Sequence, residues 1–179
     1  ASPLRAHERF VDEQDRILVS DSVKVLSASL QSGGALPSFE RAGPRETLFF
    51  HPGRTRCAIV TCGGLCPGEN DVIRAIVLTL VHSYGIHQIL GIRYGYAGLT
   101  SASPEAPIEL TPESVESAHG VGGSLLGSSR GPQDLSDMVD MLSRWEIDAL
   151  FVIDGHGELR GEAALADEIA RRQLRIAVV

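Results

Sequence analysis

Residues 58–74 read AIVTCGGLCPGENDVIR. An apolar stretch runs into a turn with two adjacent glycines, Gly63 and Gly64. The turn runs into a segment whose apolar residues Val72, Ile73, Ile76, Val77, Leu80 and Val81 recur at helical spacing. Strand, glycine turn and helix in that order are the repeating part of a parallel sheet, whose neighbouring strands need a crossover between them. Adjacent glycines let the backbone come close to a ligand, and the helix behind them aims free N–H groups at it. That arrangement suits phosphate. The spacing is neither G-x-G-x-x-G nor G-x-x-x-x-G-K-[ST], so the two commonest nucleotide fingerprints do not apply.

The same alternation continues along the chain. Cys57–Thr61, His87–Ile92, Ala149–Ile153 and Leu174–Val179 read as strands. Helices are expected over about 70–83, 111–118, 133–144 and 158–172. Thr111 before Pro112 gives the second helix its start, and Leu135, Met138, Val139, Leu142 and Trp145 give the third its apolar stripe. Continuous apolar strands between helices imply an α/β fold, a doubly wound parallel sheet covered on both faces. Ala1–Arg45 differs. It holds a charged start, the apolar Ile17-Leu18-Val19, a Val23–Leu30 segment whose period fits a strand or a short helix, and a glycine- and proline-rich Gln31–Pro44 that reads as loop. It is expected to be an N-terminal extension packed against a core that begins near Glu46. The last apolar strand stops at Val179 without the loop that carries function in such sheets, so the chain is expected to be part of a longer polypeptide.

Composition narrows the function. With 179 residues, one self-sufficient core is the default. A net charge of −7 argues against general nucleic-acid binding. No apolar run approaches the roughly 20 residues of a membrane span, and Ala1–Phe10 lacks the apolar centre of a signal peptide. Three cysteines, an odd number, suggest no disulfide framework and a reducing, cytoplasmic setting. Cys62 and Cys66 are not joined by further ligands at metal-site spacing, and the histidines are scattered. There is no G-x-S-x-G elbow and no carboxylate pair of the glycosidase kind.

Three glycine-bearing segments directly follow expected strands: Cys62–Gly68, Arg93–Gly98 and Asp154–Gly157. A parallel sheet brings such loops to one edge, where they can line a single crevice. A fourth, Gly122–Gly131, carries Arg130 among small residues, and a guanidinium fork matches phosphate oxygens. Plainer readings stand beside these. Arg130 could be a solvated surface arginine, Arg93 and Tyr94 ordinary loop residues, Arg74 a partner in an ion pair or solvent-exposed, and Asp154 a cap for the helix near Glu158.

Taken in order, these segments resemble the phosphofructokinase family. Thr61–Arg74 is similar to its first glycine loop and helix, and the cysteine-bearing form is most similar to the plant-like, ATP-dependent branch. Gly91–Leu99, Gly122–Gly131 and Phe151–Gly161 stand where the next three family segments stand, and Ala42–Arg45 also resembles this branch. The resemblance covers about Ala42 to Val179. It implies the first portion of a nucleotide-binding domain over 46–179, with the family's second, substrate-binding domain absent from this chain. It implies a 6-phosphofructokinase that moves the γ-phosphoryl of Mg-ATP to fructose 6-phosphate and works as a homo-oligomer. Gly63 and Gly64 would turn beside the nucleotide phosphates and Arg93 would lie near the nucleotide. Arg130, with Gly131 beside it, would contact phosphates and act catalytically by stabilising the transferring charge. Asp154, Gly155, His156, Gly157 and Glu158 would approach the triphosphate, with magnesium close by.

Two departures bear on that expectation. The family's fourth motif is Gly-Gly-Asp-Gly, or Gly-Gly-Asn-Gly in plant-like members, whereas this chain has Asp154-Gly155-His156-Gly157. His156 holds the metal-side position with an imidazole, a poor match for hard Mg²⁺, and Asp154 adds a negative charge beside phosphates or takes the metal-side role itself. The family's catalytic base lies in a Thr-Ile-Asp segment after the strand matching Leu174–Val179, and most of its fructose 6-phosphate residues lie beyond that, so this chain alone is expected to be inactive. The alternatives are a non-catalytic or regulatory subunit that keeps the fold, or a pyrophosphate-dependent relative.

Overall fold

A computed structural model describes residues 2–4, 9–155 and 159–179 of the chain. They form two compact units, Ala1–Phe49 and Phe50–Val179.

In the first unit β1 (Arg16–Leu18) and β2 (Ser38–Glu40) pair antiparallel, with Ile17 opposite Phe39, and α1 (Val23–Gln31) lies between them in sequence. The undecided Val23–Leu30 segment is therefore a helix. The strand inside the expected loop 31–44 is only three residues long, too short to leave a period in the sequence. Val11 is the one buried residue among the described residues of this unit.

The second unit is built on a five-stranded sheet. In chain order its elements are β3 (Arg56–Thr61), α2 (Glu69–Thr79), β4 (Gln88–Ile92), β5 (Ile108–Glu109), α3 (Leu135–Arg144), β6 (Ala149–Ile153), α4 (Leu159–Arg171) and β7 (Ala177–Val178). The spatial order is β5-β4-β3-β6-β7. β4, β3, β6 and β7 run parallel, with Ala58 in register with both Leu90 and Leu150, while β5 closes one edge antiparallel.

β3 lies at the centre and is buried on both faces, which is why it reads as unbroken apolar sequence. Ala58 and Val60 point into a core shared with Met138, Leu142, Leu165 and Ile169, so α3 and α4 cover that face. Cys57 and Ile59 point the other way, against Ile73, Val77, Leu110 and Leu126, so α2 covers the opposite face with the chain that follows β5. The period of two along β3 thus divides the interior into two cores.

Several boundaries differ from the expectations for local reasons. α2 begins at Glu69 because Gly68 takes the left-handed conformation (φ +89°) immediately before it. It gives way after Thr79 to a wider π turn over Leu80–Tyr84, closed by Gly85 at φ +70°. Val72, read as part of its apolar face, is exposed. No helix forms over 111–118. The Thr111 N–H donates to Ser114 Oγ (2.8 Å) and the Ser114 N–H to Thr111 Oγ1 (3.2 Å), closing a turn instead, and one 3₁₀ turn follows at Ala118–Gly120. α3 starts at Leu135 because Asp134 caps it, accepting from the N–H groups of Ser136 (2.8 Å) and Asp137 (3.2 Å). The final strand shrinks to Ala177–Val178 because the chain leaving α4 turns through Gln173 at φ +56°, with Leu174 N–H still bonded to Ile169.

Candidate functional site

Among the parallel strands the order is second, first, third, fourth, so the direction of winding reverses between β3 and β6. The loop after β3 leads to α2 on one face, and the loop after β6 leads toward α4 on the other. A crevice opens outside the carboxyl ends of two such strands, and ligands of open α/β sheets bind there. The Cys62 N–H donates to Ile153 O (2.9 Å), the last rung joining β3 and β6 before the two loops part.

The loop after β3 turns through Gly63 at φ +76° and enters α2 through Gly68, so its backbone N–H groups and the helix start lie together at the crevice. The segment 121–131 is tied across the same edge. Thr61, at the end of β3, donates from Oγ1 to Gly127 O (2.7 Å), and Ser128 Oγ donates to Gly63 O (2.5 Å). Asn70 of α2 donates from Nδ2 to Val121 O (2.9 Å) and Gly123 O (3.1 Å), and its Oδ1 accepts from Leu125 N–H (2.8 Å). Leu126 is buried beneath and reaches Gly91 of β4, where a Cβ would stand 2.6 Å from its Cδ2. The third segment joins as well, since Tyr94 N–H donates to Leu126 O (2.8 Å) and Ala97 N–H to Ser129 Oγ (3.3 Å).

Gly63, Gly64, Arg130 and Gly131 are therefore brought together. A Cβ on Gly64 would lie 3.6 Å from Arg130 Nη2, which sets the guanidinium against the glycine turn. Arg130 is exposed and has no hydrogen bond or ion pair with the described residues, so its five donors are available to a ligand. Arg93 stands at the same edge but is engaged. Its Nη1 pairs with Glu105 (3.3 Å), Nη2 donates to Tyr94 Oη (3.2 Å), and the guanidinium carbon lies 5.1 Å from the Tyr94 ring centroid. Arg74 is half-buried and has no ion pair among the described residues, and its Nε is buried without a partner among them.

Asp154 begins the loop after β6, and Gly155 N–H donates to its Oδ1. Its Oδ2 is buried and without a partner among the described residues. Burial raises the Asp154 pKa, and the Gly155 N–H partly offsets that. Tyr96 is buried beside it, and burial, followed by the nearby Cys62, Asp154 and Glu162, pushes its phenol well above the ordinary range. Gly155 is exposed at the edge, while His156, Gly157 and Glu158 lie outside the described residues. Asp154 Oδ2 is one hard oxygen donor without a partner among the described residues and suits a single ligand position of a magnesium ion, while no group of three or more His, Cys, Asp and Glu among those residues could hold a metal by itself.

Two cavities flank the edge. One, about 340 Å³, is lined by Tyr96, Gly131, Gln133, Met138, Gly161 and Ala164 and is largely apolar. The other, about 400 Å³, sits at the start of α2 against His119 and Gly122. Thr61, Asn70, Ser128, Tyr96 and Gly161 belong to this edge and were not singled out from the sequence. Thr61 carried a weak signal as the polar residue that ends an apolar strand.

Fold and site define an open α/β protein with a crevice at a topological switch point, covered by a glycine-rich segment that supplies an arginine. A family model described as Phosphofructokinase matches residues 56–179, and the chain belongs to that family. The chain is 45% identical over 178 residues to an ATP-dependent 6-phosphofructokinase of Amycolatopsis methanolica, covering 99% of this chain and 39% of that protein. It is 40% identical over 182 residues to ATP-dependent 6-phosphofructokinase 5, chloroplastic, of Arabidopsis thaliana, covering 95% of this chain and 33% of that one. Among solved structures, Pichia pastoris phosphofructokinase in the T-state superposes with a TM-score of 0.60 at 21% identity, over 94% of this chain and 22% of that one, a likeness of fold. The chain spans about two fifths or less of the length of these proteins.

Proposed function

We propose that these residues form the nucleotide-binding part of an ATP-dependent 6-phosphofructokinase, which transfers the γ-phosphoryl of Mg-ATP to fructose 6-phosphate and yields fructose 1,6-bisphosphate. The observation that carries the reading is Arg130, without a partner among the described residues, held against the Gly63–Gly64 turn at the β3/β6 switch point. Phosphoryl transfer asks a protein mainly for positioning and for stabilisation of charge on the moving group. Backbone N–H groups of the Gly63–Gly68 loop orient the phosphate tail, and the Arg130 fork meets the charge that develops on its oxygens. Gly131 and the apolar cavity beside it accept the base, which favours a nucleotide donor over bare pyrophosphate. Bound magnesium neutralises phosphate charge. Asp154 Oδ2 would hold it, with His156 at the family's metal-side position and Gly155, Gly157 and Glu158 alongside the phosphates. Arg93 lends further positive charge at the rim.

The whole protein is proposed to be a cytoplasmic homo-oligomer. Cys57, Cys62 and Cys66 form no disulfide, which fits a reducing compartment, and no helix among the described residues is long and apolar enough to cross a membrane. One observation favours a second reading, a subunit that binds nucleotide without turnover: a carboxylate with one buried oxygen, Asp154, stands where the family resemblance places glycine. Titration with ATP, with and without Mg²⁺, tests the assignment. Saturable binding that weakens at least about tenfold in Arg130→Ala is expected, since a charge-assisted hydrogen bond contributes about 1.5–3 kcal/mol. Unchanged affinity in that variant would remove the assignment. Turnover of the whole protein, measured with fructose 6-phosphate, separates the enzyme from the silent subunit.

A further inference from the structure

Tyr94 adopts a left-handed backbone (φ +61°, ψ +43°), and Gly95 follows at φ +60°. Two successive left-handed residues press the backbone of Gly95 against its neighbours, where a Cβ would stand 2.9 Å from Ser129 N and 3.1 Å from Thr61 O. Glycine, asparagine or aspartate are the usual occupants of such a conformation, and a bulky residue held in it marks a place where something outweighs the strain. Burial does not explain the choice, because Tyr94 is 42% exposed.

The contacts of the ring do. Its edge lies where a Cβ on Gly127 would come within 2.9 Å of Cδ1, so the ring seats on that glycine, which itself sits at φ +70°. The Arg93 guanidinium stands 5.1 Å from the ring centroid and bonds the hydroxyl at 3.2 Å, while Glu105 holds Nη1 at 3.3 Å. Gly127 leads in three residues to Arg130, and its carbonyl is tied to Thr61 at the crevice. One aromatic ring thus joins the two arginine-bearing segments.

We propose that Tyr94 is a positioning residue: its ring, fixed on Gly127, holds the Arg93 guanidinium, with Glu105 as a second handle, in place to meet the phosphate tail of the ligand. The proposal rests on the phosphate reading of this edge. Two probes, ATP and inorganic tripolyphosphate, are titrated against the parent chain, Tyr94→Phe, Tyr94→Gly, Arg93→Ala, Arg130→Ala and the double variant Tyr94→Gly/Arg93→Ala, with thermal melting of each. Glycine removes the ring and relieves the left-handed strain, so melting at or near the parent temperature is expected, with both probes bound about tenfold more weakly. Tyr94→Asn, also tolerant of the left-handed conformation, replaces it if the glycine variant melts early. Tyr94→Phe keeps the ring and stays within about threefold. The double variant binds no more weakly than Arg93→Ala, because Tyr94 acts through Arg93. Parent-like affinity in the ring-deleted variants, additive losses in the double variant, or a loss confined to ATP would overturn the proposal. If Arg130→Ala weakens binding and Tyr94→Gly does not, the phosphate reading stands and Tyr94 has no part in it. If neither arginine variant weakens binding, the phosphate reading itself fails and takes the proposal with it.

Discussion

Asn70 is the side chain on which the geometry of the edge most depends. Its amide is buried at the start of α2 and makes three hydrogen bonds to the backbone of 121–125, a stretch with no regular structure of its own. Replacing it with alanine leaves two carbonyls and one N–H without partners, a cost of about 2–3 kcal/mol. Urea denaturation of Asn70→Ala should show that loss, with ATP affinity reduced beyond what the fraction unfolded explains. Parent-like stability would mean that water satisfies the groups equally well. Nothing in the sequence marked Asn70 for this task. A polar residue opening an amphipathic helix is ordinary, and its partners lie about fifty positions further on. Arg130 differs, because a lone cation among glycines and serines is visible at sight, although its lack of a partner among the described residues is not.

The pairing of α3 with α4 rests on packing and on a charge cluster at one end. Arg172 bonds Asp140 (2.6 Å) and Ser136 Oγ (2.6 Å) on α3, and Glu168 binds both Arg171 and Arg172. Arg171 first, then Arg172, lowers the Glu168 carboxyl from its ordinary 4.5 to about 2. A lowered acid stabilises the folded state above its unfolded pKa, and that contribution is lost as pH falls through the folded value. Stability should therefore decline between pH 4.5 and about 2 in part through Glu168. In Glu168→Gln the decline over that window, followed by circular dichroism, should be shallower. An identical acid limb would show that the cluster contributes nothing. The helices themselves were legible, since Met138, Val139 and Leu142 are buried as their spacing predicts. Where the expectation failed, at 111–118, a proline start signal was outweighed by a local side-chain–backbone turn, which period analysis does not weigh.

Phe50–Val179 holds nearly all the buried side chains, in two cores on either side of one sheet. Ala1–Phe49 has Val11 alone buried among its described residues, and α1 has none. Residues 50–179 made by themselves should thus unfold in a single cooperative transition on heating, while residues 1–49 by themselves should show none. A broad, non-cooperative melt of 50–179 would contradict that division. The class of fold was readable in advance because burial on both faces forces strands to be continuously apolar and covering helices to keep a 3.6-residue period, and both demands are local in sequence. The glycine turns, as candidates for phosphate, were readable for the same reason. Strand order was not, nor was the antiparallel edge strand β5, the seating of 121–131 across the crevice, or the Tyr94 platform. Those follow from hydrogen bonds and contacts between residues that lie dozens of positions apart, and a pattern confined to neighbours along the chain carries no record of which distant partner each one meets.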